Sequence, residues 1–445
     1  MAEQKDNIYA QPGKQKLAET IAAVACPIRD SDDLGPLLDR IGDAKIVLLG
    51  EASHGTHEYY TWRSRISKRL IEEKGFHFIA VEGDWPDCYR INRYIKSYPD
   101  AGENAHEVLN AFNRWPTWMW ANWEIVELTE WLRKHNQSRP KGRKTGFYGL
   151  DMYSLWESLD AIIEYLEKVD PQALQVARKA FTCFEPYSEG GAHSYAESAW
   201  LVPYSCQKEV VELLQEIRQK VAQYNSDPEA VFNVEQNAQI AFNAERYYRS
   251  MIAGGPQSWN IRDGHMTNTL NALLQFHGEN AKAIVWEHNT HIGDARATDM
   301  ARSGMVNVGM LVREQYAKDE VVAVGFGSYE GTVIAGRQWG DVMKVIHVPP
   351  AVKDSWENIL HRIEPADKLL IMNEMTFPEF ERMPLPHRAI GVVYNPETEK
   401  QGNYVPTILP LRYDAFMFFD KTTALNPLHI STDPLQMPET FPFGL

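Results

Sequence analysis

Three short apolar runs in the first third of the chain each stop at an acidic residue, and no other feature constrains the fold as strongly. Ile46-Val-Leu-Leu49 gives way to Gly50-Glu51, Phe76-His-Phe-Ile-Ala-Val81 to Glu82-Gly-Asp84, and Thr145-Gly-Phe-Tyr-Gly-Leu150 to Asp151. Short continuous apolar runs bounded by turn residues read as strands buried on both faces. After the first run, Tyr59, Trp62, Ile66 and Leu70 recur at helical intervals, so a helix covers residues 58–74. Strand, polar loop and helix in succession build parallel sheets. Such sheets bind ligands beyond the carboxyl ends of their strands. Glycines at 50 and 55 let the backbone turn sharply beside a ligand. If the first two strands are neighbours, Glu51 and Glu82 share one sheet edge.

The chain has 445 residues, 44% of them hydrophobic, which is ample for a large core. Helical periodicity marks residues 14–24, 33–42 and 125–135, and then nearly everything from 154 to 275. Strands resume at 281–286, 321–326, 369–372, 389–394 and 413–419, with a glycine-rich turn expected at Gly327-Ser-Tyr-Glu-Gly-Thr332. The expected fold class is α/β: a central, mostly parallel β-sheet flanked by helices. Residues 1–445 form one unit, and a large helical insertion at 154–280 covers the active-site cleft. Residues 1–13 read as a mobile tail, and the proline-rich stretch from Pro427 as an extended cover.

The formal net charge of -15 argues against nucleic acid or anionic membranes as partners. No apolar run is long enough to cross a bilayer, and the polar start lacks a signal core. Cys26, Cys88, Cys183 and Cys206 are scattered without a C-x-x-C pair and read as reduced thiols. A cytoplasmic protein is expected.

Two constellations carry chemistry. Glu51, His54, His57 and Glu58 crowd the end of the first strand. Histidine titrates near neutrality and can take and return a proton, and a carboxylate beside it fixes its tautomer. Glu287-His288-Asn-Thr-His291 follows a second strand in the same way, its histidines three apart. Repetition of H-x-x-H behind two buried strands weighs against coincidence. Four histidines with carboxylates are also compatible with a zinc or manganese site, although H-E-x-x-H is absent. No G-x-S-x-G elbow is present, and Ser53 sits directly beside His54, a poor geometry for a serine–histidine pair. Arg63 could hold a carboxylate or a developing oxyanion. Trp118 and Trp120, in the tryptophan-rich stretch 115–123, could line a wide cleft or pack the helices on the sheet.

Together these residues resemble the erythromycin esterase family. The matching pieces are Gly50-Glu51-Ala-Ser53-His54 with Arg63, Val81-Glu82, Gly149-Leu-Asp151, Arg262-Asp263 before a helix, and Glu287-His288-Asn-Thr-His291. Gly327 to Thr332 and the stretch from Gly391 to Phe416 also fit, so the likeness runs from about residue 33 to 425. It implies hydrolysis of a carboxylic ester or macrolide lactone without a covalent intermediate and without a cofactor. His54 would be the general base on water. Glu51, Arg63, Glu82, His288 and His291 match the family's other active-site positions. His57, Glu58, Asp151, Trp118 and Trp120 are the candidate substrate contacts, and a small ester or lactone the expected partner. Two alternatives remain at this point: a metal-dependent hydrolase on the same scaffold, and a non-catalytic small-molecule binding protein.

Overall fold

The computed structural model describes residues 12–187, 194–196, 198, 205–224, 227–251, 255–372 and 384–429. Its strands, in chain order, are β1 (Cys26–Pro27), β2 (Ile46–Leu49), β3 (Phe78–Asp84), β4 (Gly146–Asp151), β5 (Ala283–Trp286) and β6 (Val321–Ala335). They continue with β7 (Lys344–Val348), β8 (Lys368–Ile371), β9 (Leu385–Arg388), β10 (Tyr404–Thr407) and β11 (Ala415–Thr422). Among the described residues one 9-stranded sheet has the order β1-β8-β11-β6-β2-β5-β3-β4, with β7 added to β6. The run from β11 to β4 is parallel throughout, while β8, β1 and β7 join antiparallel. The expected α/β class and mostly parallel sheet hold.

Alternation of side chains explains the layering. Ile46, Leu48, Phe78, Ala80, Tyr148, Leu150, Val285 and Ala323 face one way and pack against the helices at 155–277. Val47, Leu49, Ile79, Val81, Phe147, Ile284, Trp286 and Val324 face the other way. They meet the helices His57–Lys74, Trp85–Ile95 and Trp123–Gln137. With both faces covered, the central strands must be apolar along their whole length, as β2 and β5 are.

Between β4 and β5 the chain is helical at Leu155–Val169, Pro171–Phe184, Gln207–Lys220, Pro228–Met251 and Gln257–His277. Arg262 and Asp263 lie inside the last of these, not before a helix. Four further expectations are corrected. β5 lies between β2 and β3, so the strands carrying Glu51 and Glu82 are next-but-one neighbours. Gly327 to Thr332 is no turn: β6 runs straight through it and pairs with β11. A Cβ on Gly331 would stand 2.0 Å from the Thr422 carbonyl oxygen, so glycine serves close strand approach there. The strand expected at 389–394 is instead β9, paired with β10, followed by isolated bridges at Ile390 and Val393. Cys183 and Cys206 form a disulfide across 23 residues, and Cys26 and Cys88 take no part in it. The helices bring this pair together, which spacing along the chain does not reveal. The N-terminal tail up to residue 11 and the cover from 430 onward lie outside the described residues.

Candidate active site

The loops leaving β2, β3, β4 and β5 converge at the carboxyl edge of the sheet. β2 ends at Leu49, and Gly50 then turns the chain against Asn289, whose Oδ1 would sit 2.1 Å from a Cβ at position 50. Asn289 clamps this corner. Its N–H donates to the Glu51 carbonyl at 2.8 Å, and its side-chain amide donates to the Phe326 carbonyl at 2.6 Å. At Gly55 the backbone passes so close to β6 that a Cβ would meet the Ile334 carbonyl oxygen at 1.9 Å. The loop between these glycines is thereby pinned to β5 and β6.

That loop presents His54. Its Nδ1 lies 2.9 Å from Glu51 Oε1, while Arg63 Nη2 donates to Glu51 Oε2 at 2.7 Å. A carboxylate facing Nδ1 keeps the proton there and leaves Nε2 with its lone pair. Arg63 is fully buried, its guanidinium 4.4 Å from the Tyr60 ring centroid and 4.7 Å from that of Trp286. The His288 ring stands 4.9 Å from that of His54. His288 caps the short helix Asn289–Ile292, its Nδ1 accepting the Thr290 N–H. The neutral ring therefore carries its proton on Nε2, which has no hydrogen-bond partner among the described residues. Burial, aided by the nearby His54, pushes the His288 pKa well below 6.5 and keeps the ring neutral.

Behind these groups lies a buried ionic lattice. Arg262 Nη2 donates to Glu82 Oε1 at 2.8 Å and to Asp151 Oδ2 at 2.5 Å. Arg262 Nε also reaches Asp151 Oδ1 at 3.1 Å. His291 Nδ1 faces Asp263 Oδ1 at 2.9 Å, its Nε2 lies 3.1 Å from Arg262 Nη1 and 3.3 Å from Glu82 Oε1, and Trp259 stacks on its ring at 4.6 Å. Burial and the adjacent Arg262 guanidinium oppose a charge on His291, but the Asp263 and Glu82 carboxylates outweigh them and raise the pKa to about 10. Burial likewise opposes ionisation of Glu82, yet His291 and Arg262 hold its carboxyl well below the usual range. Glu82 Oε2 accepts the His288 backbone N–H at 2.8 Å, so the lattice sets the position of the His288 backbone. Glu287 differs: it is fully buried, both carboxyl oxygens lack hydrogen-bond partners among the described residues, and burial pushes its pKa far up.

The structure thus brings together Glu51, His54, Arg63, Glu82, Asp151, His288 and His291. It does not bring the other candidates to them. His57 Nδ1 pairs with Glu124 at 2.5 Å. Glu58 accepts from the Thr423 N–H and hydroxyl at 2.8 Å each. Both residues therefore tie the first helix turn to its neighbours. Trp118 and Trp120 are buried in the layer beneath the sheet, Trp118 edge-on to Trp115 and Trp120 against Gly83 and Tyr60. Arg262 and Asp263 are the residues the candidate set lacked. Their signal was the family resemblance, in which Arg262-Asp263 is one of the matching pieces; by itself an adjacent cation and anion within a helical stretch reads as solvated surface. Among the described residues, no group of three or more histidine, cysteine or carboxylate side chains is arranged to hold a metal ion.

A sheet of this topology with an acid–base cluster at its carboxyl edge defines an α/β enzyme. A family model described as erythromycin esterase matches residues 71–422, and the chain belongs to that family of ester hydrolases. The match begins after His54 and Arg63, so it leaves that loop to be judged on its own geometry. The chain is similar to erythromycin esterase type II of Escherichia coli, 22% identical over 330 residues that span 69% of this chain and 75% of the relative. Its fold matches a solved succinoglycan biosynthesis protein with TM-score 0.76 at 21% identity, covering 94% of this chain and 99% of the other. It also matches a mutant erythromycin esterase in its open conformation with TM-score 0.65 at 14% identity, covering 92% and 97%. No helix among the described residues is long and apolar enough to cross a membrane.

Proposed function

We propose that this chain hydrolyses a carboxylic ester or lactone by general-base activation of water at His54, with no covalent enzyme intermediate. The carrying observation is the contact between His54 Nδ1 and Glu51, which reserves Nε2 for the proton of a water. The water attacks the acyl carbon and His54 takes its proton. The neutral His288, beside the Ala52 backbone, donates from its Nε2–H to the carbonyl oxygen as negative charge develops there. The His54 imidazolium, steadied by Glu51, then returns the proton to the leaving alcohol. Arg63 acts through Glu51 as a positioning residue, since its guanidinium is buried between two rings. Arg262, Glu82, Asp151, Asp263 and His291 form the rigid bed that holds His288.

A metal-dependent alternative has less support. The nitrogens of His291 face Asp263 and Glu82, and Nδ1 of His54 faces Glu51, which leaves few convergent lone pairs for an ion. The relatives named above make macrolide lactones the first substrates to test. Purified protein is incubated with a macrolide and a set of aryl and alkyl esters, and products are read by mass. Ring-opened or cleaved product with an unmodified enzyme mass on acid quench is the expected result. A trapped acyl-enzyme, or no turnover of any ester or lactone, would overturn the reading.

A further inference from the structure

At the opposite edge of the sheet, where β3 and β4 begin, lies a cleft of about 840 Å³. Its size is that of a small-molecule site. Arg139, Lys141, Gly142 and Lys144, from a short basic stretch in a chain whose net charge is -15, line one rim. Tyr98, Phe276 and His277 give the cleft aromatic lining as well. The floor is a saturated polar network. Glu229 accepts from Asn92 at 2.8 Å, Tyr148 at 2.7 Å and Tyr98 at 2.9 Å, and it pairs with Lys96. His277 stacks on Phe78 at 4.8 Å and reaches the Tyr148 hydroxyl at 3.2 Å. The negative charge of Glu229 is therefore spent inward. On the rim, Lys141 pairs with Asp227 at 2.6 Å but is 79% exposed, and the Arg139 guanidinium has no ion pair or hydrogen bond among the described residues.

We propose that this cleft is a second ligand site, separate from the His54 cluster, for a phosphate monoester with a planar ring system, of the nucleoside monophosphate class. Arg139 and Lys141 would hold the phosphate by charge-assisted hydrogen bonds, and the aromatic lining would take the ring. Lys144 donates to the Lys96 carbonyl and so ties the rim to the floor. Ser97, at φ +59°, lines the cleft just past the helix Trp85–Ile95 in a backbone conformation that few residues adopt.

The test is calorimetric titration of the full chain with adenosine monophosphate, adenosine and inorganic phosphate at constant ionic strength. The same titrations follow on Arg139→Ala/Lys141→Ala, whose exposed side chains support no core contact. Saturable binding of adenosine monophosphate, weaker binding of phosphate alone, and loss of about tenfold or more in the double variant support the site. No saturation by any probe below about 5 mM, or equal affinity in the variant, would overturn it. Phosphate binding as tightly as the nucleotide would remove the aromatic lining from the proposal. None of these outcomes depends on ester hydrolysis.

Discussion

The imidazoles of His54 and His288 stand 4.9 Å apart at an interplanar angle of 43°, and they reach that distance from two different strands. One ring is fixed by Glu51 and the other by the backbone of its own helix turn, so they present complementary roles. In the proposed mechanism His54 offers a lone pair and His288 a proton. Removing either group should cost catalysis rather than folding.

Glu51→Gln tests the clamp on His54. The amide is nearly isosteric, but it no longer offers an anion to His54 Nδ1 or to Arg63. A drop in kcat of about 10²-fold or more is expected, of the size general acid–base catalysis supplies, together with a lowered melt because the buried Arg63 loses its anion. Steady-state rates beside a circular dichroism melt decide it. A wild-type kcat would show that the carboxylate does not poise the ring.

Glu82 and Glu287 are both buried carboxyls, and opposite responses to glutamine are expected. Glu82→Gln leaves Arg262 and His291 short of an anion in a dry site and should cost about 3–5 kcal/mol. Burial pushes the Glu287 pKa up and its carboxyl oxygens accept no hydrogen bond among the described residues, so glutamine removes no ion pair and should cost about 1 kcal/mol or less. Denaturant titrations of the two variants give the comparison.

The pKa of His291 sets an alkaline limit on stability. It is raised above the unfolded value, so its contribution is fully present below pH 6.5 and is lost as pH climbs through about 10. The integrated loss is on the order of 4 kcal/mol for so buried a group. His288 acts with the opposite sign. Its pKa is depressed, so stability falls as pH drops below 6.5 and unfolded chains take up the proton. Melting curves of wild type and His291→Gln from pH 6 to 10 should converge at the alkaline end. A gap that stays constant would mean that His291 is not the titrating group.

Gly55→Ala places a methyl group against the Ile334 backbone carbonyl, which no side-chain rotation can relieve. A loss of about 1–3 kcal/mol is expected, together with reduced turnover, because the same loop carries His54. Gly142→Ala, where a Cβ meets nothing within 4 Å, is the control and should leave stability unchanged.

The clustering of the candidate site residues was legible in the sequence because local signals and geometry agree there. β2, β3, β4 and β5 are apolar runs that stop at acids, and those acids do gather at one edge. Other features depend on partners distant in sequence. Nothing near residue 283 says that β5 must intervene between β2 and β3. The glycines at 327 and 331 resemble turn residues until β11 lies against them. His57 and Glu58 look like part of the His54 cluster, but the helix they begin turns them toward Glu124 and Thr423. Arg262 and Asp263 were part of the resemblance, but their contacts appear only once a long helix lays them across Asp151, Glu82 and His291.

The most direct measurement is kcat/KM of His54→Ala on whichever ester or lactone the wild type cleaves, taken at a temperature where both proteins are shown to be folded. A loss of about 10²–10⁴-fold with substrate binding retained is the predicted result. Turnover equal to wild type would contradict the assignment of His54 as the base.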